Sequence, residues 1–356
     1  MKMNKLVRYL NKIFIKCLRI LLIMPMNQKK TCLLLVHGAM IVVVFLTSFY
    51  FRYKNNYKTS SIGTVILYSF EEAEEVCGCL AVLVILYSYR QTHLWQNLYK
   101  NDIILDDDDQ RCHTFIIIAF FLQMCLNIYA AINWTWITLE VDHLFVIILF
   151  SLSPFIHATY TIAVHTLYMN IILEIRQKLI KANKQLNSNI VTINLNVMHS
   201  YLNQAIEGGK IFNRLFGHQI LIFYFQFFLF LINVLLSIIP LMNSQKFITF
   251  GDIFQNILLY IYIFILIMVS CGPCGVAFAC SMVATEVDKL LADCYEVQEN
   301  FHYSSHEYKE LQTLTLILGS RVLQFTAAKF MEIKQSTILS IMAAAITYFV
   351  ALVQFF

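Results

Sequence analysis

The stretch STILSIMAAAITYFVALVQFF, residues 336–356, carries no charged side chain and reads as one membrane-spanning helix. A bilayer core about 30 Å thick needs about 20 apolar residues at about 1.5 Å per residue. Ala343, Ala344, Ala345 and Ala351 are small enough to let a second helix approach closely. Gln354 is the residue that does not belong in lipid. A buried amide is costly unless a helix contact or a wet cavity satisfies it.

Six further segments have the same character, at roughly 33–51, 64–89, 114–138, 144–169, 219–241 and 252–283. The whole chain agrees: 59% of its residues are hydrophobic and 13% are charged, with mean hydropathy +0.65. That composition excludes an ordinary soluble domain. The expected fold is all-α, a polytopic membrane protein of seven transmembrane helices. It divides into residues 1–32, a basic N-terminus; 33–335, helices one to six with extensions beyond the membrane; and 336–356, the seventh helix.

Basic residues set the orientation. Residues 1–32 hold eight and no acid. With the N-terminus cytoplasmic, 22 of the 26 Lys and Arg lie inside, leaving Arg52, Lys54, Lys58 and Lys246 outside. The inner segments are also longer, so the N-terminal segment carries most of the weight. The C-terminus is then extracellular. Lys5, Arg8, Lys12, Lys16 and Arg19 recur opposite Leu6, Leu10, Ile13, Cys17 and Leu21, a basic amphipathic helix suited to the lipid of an anionic inner leaflet. The ten cysteines fall in helices or inner segments, so no extracellular disulfide framework is expected.

Two inner segments look like membrane helices prolonged into the cytoplasm as a bundle. Residues 170–218 keep a helical stripe (Ile171, Ile172, Ile175, Leu179) until an Asn-rich interruption from Lys184 to Asn196. Residues 284–335 show another in Leu311, Leu314, Leu318, Val322 and Phe325.

Several constellations invite a chemical reading. Cys271-Gly272-Pro273-Cys274 has a redox tetrapeptide's sequence but follows an apolar membrane run, so a Gly-Pro kink is expected instead of thiol chemistry. Glu71, Glu72, Glu74 and Glu75 interrupt an apolar segment, and Glu71, Glu74 and Glu75 share one helical face. They read either as a solvated helix start or as an acidic wall on a ligand vestibule that would favour protonated amines. Asp106-Asp107-Asp108-Asp109, near Cys112 and His113, reads as a solvated run, since it lacks the spacing of a calcium loop. His37, His157 and His165 stand singly on helices, as core or cavity hydrogen-bonding groups. Trp134 and Trp136 are interfacial anchors or ligand-facing rings, and Asn133-Trp134-Thr135 matches a glycosylation sequon. No nucleophile–base pair, phosphate loop or nucleic-acid patch stands out. Neither an enzyme nor a metal or cofactor is expected.

Thr347 and Tyr348, five hydrophobic residues from Phe349 to Val353, then Gln354 and Phe355, make a pattern that resembles the TYhhhhhQF signature of insect gustatory receptors. The seven-helix plan with a cytoplasmic N-terminus resembles that family too. The resemblance implies a ligand-gated cation channel of the plasma membrane, a homo- or hetero-tetramer with related subunits, opened by a small-molecule tastant. It implies that Gln354 and Phe355 lie at the pore constriction, Phe355 as a hydrophobic gate, while Thr347 and Tyr348 hold the helix against its neighbours. Glu71, Glu74, Glu75, Trp134 and Trp136 are the candidate ligand contacts. The rival class is a secondary transporter or other membrane carrier, weakened by the lack of an internal repeat. A G-protein-coupled receptor is disfavoured by the orientation and by the absence of an outer-loop cysteine pair.

Overall fold

The computed structural model describes residues 12–21, 23, 31–56, 62–88, 90–101, 103, 114–138, 144–186, 195–244, 257–320 and 323–354. Helix dominates them. After a short helix α1 (residues 12–20) come α2 (Thr31–Asn56), α3 (Ile62–Ser88), α4 (Thr92–Lys100), α5 (Thr114–Thr138), α6 (Leu144–Leu186), α7 (Leu195–Ser244), α8 (Ile257–Gln298) and α9 (His306–Gly319). A small hairpin of β1 (Thr326–Ala327) and β2 (Met331–Glu332) then leads into α10 (Gln335–Val353). Each of the seven apolar segments expected from the sequence falls on its own long helix. Over the described residues, Leu195–Ser237 and Gln335–Val353 are long and apolar enough to cross a membrane, and shorter apolar stretches lie at Val36–Tyr50 and Ile118–Tyr129.

α6, α7 and α8 form the spine. α6 packs on both α7 and α8, α3 lies along α7, and α5 and α2 flank α6. All three spine helices outlast a bilayer crossing, since 42 to 50 residues at about 1.5 Å each exceed 60 Å. Their extensions, with α4, α9 and the hairpin, make a packed bundle at one end of the molecule. The prolonged helices are therefore real: α6 runs to Leu186 and α7 starts at Leu195, so both ends of the expected 184–196 interruption are helical, and residues 187–194 lie outside the described residues. In the core of this end, Tyr168 meets Phe216 at a tilt with centroids 4.8 Å apart and meets Phe212 edge-on at 5.7 Å. Trp95 of α4 meets Phe216 at 5.5 Å and donates its indole N–H to the Ser88 carbonyl at 3.2 Å.

Two expectations need correction here. Over residues 12–21 and 23, the basic N-terminal helix turns part of its apolar side onto the bundle instead of leaving all of it for lipid. Phe14, Ile15, Leu18 and Ile23 are buried, Phe14 against Phe120 of α5 at 4.8 Å, while Lys12 and Lys16 face outward. The Tyr160 hydroxyl donates to the Leu21 carbonyl at 2.8 Å and pairs with His37, so α1 is tied to α2 and α6. Leu6 and Leu10 lie outside the described residues.

Next, the stripe at 311–325 does not belong to one helix. Ser305 caps α9 by accepting from the Tyr308 N–H, and α9 buries Leu311, Leu314 and Leu318 but stops at Gly319. Val322 is outside the described residues, and buried Phe325 stands on the extended chain entering the hairpin. The Gly272-Pro273 pair lies inside α8, which stays helical on both sides of it. Gly272 is also a point of close approach: a Cβ there would lie 2.9 Å from the His165 ring of α6. Cys271 and Cys274 are both free thiols.

Candidate functional site

α10 combines small residues with β-branched and aromatic ones, and its Ser340 and Thr347 hydroxyls bond back to the helix's own carbonyls. The Thr347 hydroxyl donates to the Ala343 carbonyl at 2.9 Å, the i−4 bond that removes a polar hydrogen from an apolar face. Only 17% of the apolar stretch of α10 is buried within the chain, against 56% for that of α7. Ile338 and Ala345 are its buried residues. Phe349 and Leu352 rest on the core, and Tyr348 meets Phe228 of α7 edge-on at 5.7 Å. Tyr348 is otherwise exposed, as are Leu339, Met342, Ile346, Val350 and Val353. Gln354 is exposed at the end of the helix. Phe355 lies outside the described residues.

The acidic cluster sits inside α3, more than two turns after its start at Ile62. The helix dipole acts within the first turn, so it does not account for these carboxylates. All of Glu71, Glu72, Glu74 and Glu75 are half-buried. Asn233 of α7 donates from Nδ2 to Glu74 Oε2 at 3.4 Å. At the same general depth, His157 of α6 and Gln226 of α7 converge over Gly78 of α3, and Asn127 of α5 donates to Thr159 of α6 at 3.3 Å. The membrane part of α7 keeps three enclosed polar atoms without a partner among the described residues: the Tyr224 hydroxyl, Gln226 Oε1 and Asn233 Oδ1.

The structure thus brings Glu74 together with Asn233, and gathers Gln226 with His157 over Gly78 one turn further on; the sequence reading had passed over Asn233 and Gln226. Gln226 and Asn233 could have been found, because each is an amide within an otherwise apolar run. The side chains of Trp134 and Trp136, on the last turns of α5, are outside the described residues, as are Asn133's side chain and the whole Asp106–Asp109 run. His37 and His165 act as core hydrogen-bonding groups, His165 through Nδ1 to the Thr161 carbonyl at 2.7 Å.

Charges in the extensions are paired across helices. Arg176 of α6 donates to Glu286 of α8 at 2.7 Å. Burial raises the Glu174 carboxyl above its usual range, while Lys181 and Lys178 pull it back. Burial, reinforced by the adjacent Asp293, pushes the Cys294 thiol up to about 12.

Comparison with known proteins gives this arrangement a context. No curated protein matches the chain. Two solved structures of the insect olfactory receptor OR5 from Machilis hrabei share its fold from end to end. The complex with eugenol is 12% identical, with TM-score 0.65, covering 98% of this chain and 99% of that chain. The other OR5 structure is 13% identical, with TM-score 0.67, covering 98% of each chain. The pattern of the 7tm Chemosensory receptor family matches residues 27–355. Given that nearly complete match, this chain, a helical membrane protein with seven transmembrane spans, belongs to the 7tm chemosensory receptor family.

Proposed function

We propose that the chain is a gustatory receptor of the plasma membrane, a ligand-gated cation channel opened by a small non-sugar tastant such as a bitter compound. The observation that carries this reading is α10. It is apolar throughout, 17% buried within its own chain, and ends in the Thr347-Tyr348…Gln354-Phe355 pattern. Lipid tolerates exposed Leu and Val, so apolarity alone asks for no partner. The alanines, the exposed Tyr348 and the amide of Gln354 do ask for one: they suit packed helices around a wet axis. Four copies of α10 about that axis, in a homo- or hetero-tetramer, would put Gln354 and Phe355 at its narrowest point. A ring of Phe355 side chains closes a pore by dewetting, and a ring of amides favours the hydrated state.

The ligand would bind among α3, α5, α6 and α7, where Asn233 meets Glu74 and, one turn on, Gln226 and His157 converge over Gly78. Glu71 and Glu75 would extend the acidic wall that favours a cationic compound, with Trp134 and Trp136 bordering it. The shared fold with an olfactory receptor solved with eugenol supports a pocket for a small organic molecule in such a bundle. Binding opens the channel to the extent that the ligand prefers the open arrangement. The eight basic residues before Cys32 support a cytoplasmic N-terminus. Epitope tags at the two ends check that orientation.

Patch-clamp recording of the expressed receptor tests the channel. Gln354→Ala and Phe355→Ala should change unitary conductance or agonist-free leak at unchanged surface density. Wild-type currents and selectivity in both variants would remove the pore assignment, and coupled flux without unitary openings would make the protein a carrier.

A further inference from the structure

α10 leaves the bundle through the β1–β2 hairpin, and α7 grips that hairpin at three adjoining points. Asn213 donates from Nδ2 to the Gln324 carbonyl at 2.6 Å, and its Oδ1 accepts from the Thr326 N–H at 2.9 Å. One turn on, Gly217 admits the hairpin backbone: a Cβ there would lie 2.9 Å from the Ala328 nitrogen and 3.1 Å from the Thr326 carbonyl oxygen. One residue before Asn213, Phe212 meets Phe325 edge-on at 5.3 Å.

The hairpin is also stiff in itself. Its turn holds Ala328 and Lys329 at φ 52° and 60°, a left-handed conformation that non-glycine residues adopt only where surrounding contacts hold it. Ile333 donates its N–H to the Phe325 carbonyl at 2.9 Å. The Thr337 hydroxyl then bonds the Glu332 carbonyl at 2.7 Å, fastening the first turn of α10 to the strand before it. Phe325, Ala327, Ile333 and Ile338 are all buried along this path. The far half of α10 rests on the bundle through apolar and ring contacts, Tyr348 on Phe228 of α7 and Phe349 and Leu352 on the core.

We infer that Asn213 is a positioning residue for gating, the clamp that roots α10 on α7. With the root held, a displacement of the far half of α10 becomes a change in pore width. With the root loose, the whole helix rocks and the displacement is lost. This rests on the pore reading given above.

The test is agonist-free single-channel recording of the full-length receptor, in the wild type and in a Phe355→Ala background. Asn213→Ala should lower the open probability about 3- to 10-fold, the range of coupling effects of residues that touch no ligand. Unitary conductance and surface density should stay at the parent's values. Asn213→Asp, which keeps the acceptor for the Thr326 N–H and loses the donor, should fall between the parent and Asn213→Ala. Gly217→Ala should lower open probability too, and the Asn213→Ala/Gly217→Ala double variant should lose no more than the worse single change, since both act on one contact. Unchanged open probability in Asn213→Ala, beside clear openings in the parent, overturns the clamp and leaves the pore reading standing. Absence of unitary openings from both parents overturns the two together.

Discussion

At the hairpin end, Leu290, Cys294, Leu311 and Leu314 are wholly enclosed, whereas Leu339, Ile346 and Val350 of α10, on a more apolar helix, stand more than half exposed. The surroundings explain the contrast. A helix extension that projects from the bilayer into water must bury its apolar stripe or lose about 1.5–3 kcal/mol per large side chain. A helix in lipid is under no such pressure, and its packing is set by small residues and polar side chains. The bundle therefore folds around itself. α10 keeps most of its apolar surface uncovered by its own chain.

The largest expected effect that could break this contrast is in the bundle. Phe212 is fully enclosed between Tyr168, Phe216 and Phe325, and Phe212→Ala should destabilise by about 3–5 kcal/mol. Detergent-extracted receptor should then show a lower melting point and a sharply reduced monodisperse yield. Arg176→Ala should cost less, about 1–2 kcal/mol, because the ion pair with Glu286 is only partly shielded from water. The charge-exchanged Arg176→Glu/Glu286→Arg protein should recover part of that loss; no recovery would show that packing, not pairing, matters there.

Val350→Ala on α10 should leave subunit melting within about 0.5 kcal/mol of wild type yet weaken assembly, read as a shift to smaller species in native mass spectrometry. A melting change as large as that of Phe212→Ala would mean that α10 is part of the fold's core after all. The smallest effect concerns Cys294, whose thiol is held protonated at neutral pH because burial and Asp293 push its pKa up to about 12. Alkylation of the native protein should be slow, rising about tenfold per pH unit up to about pH 12. Rapid labelling at pH 8 would show that this part of α8 opens to solvent.

Much of this was legible in the chain because lipid writes in long runs. Residues 33–51 and 114–138 each predict a helix of bilayer length, and α2 and α5 enclose them. What periodicity missed depends on neighbours. The hairpin is two residues per strand, too short to show an alternation, and its turn forms at Ala328-Lys329, residues without turn chemistry of their own. α4 carries three buried residues in nine, Leu94, Trp95 and Leu98, which no span-length search detects. For α1, the sequence showed basic residues opposite an apolar side, and only the contact with Phe120 shows that the bundle covers part of that side. At the candidate site, Gln354 declared itself by being an amide in an apolar helix. The partnership of Glu74 with Asn233 joins residues 159 apart in the chain, a distance no local pattern spans.

The central claim, that α10 lines a cation pore with Gln354 at its narrow end, is tested most directly by single-channel recording of three receptors at matched surface density. Wild type, Gln354→Glu and Gln354→Lys place neutral, negative and positive rings on the axis. The account predicts a unitary cation conductance that rises for Gln354→Glu and falls for Gln354→Lys. Identical conductance in all three would contradict it.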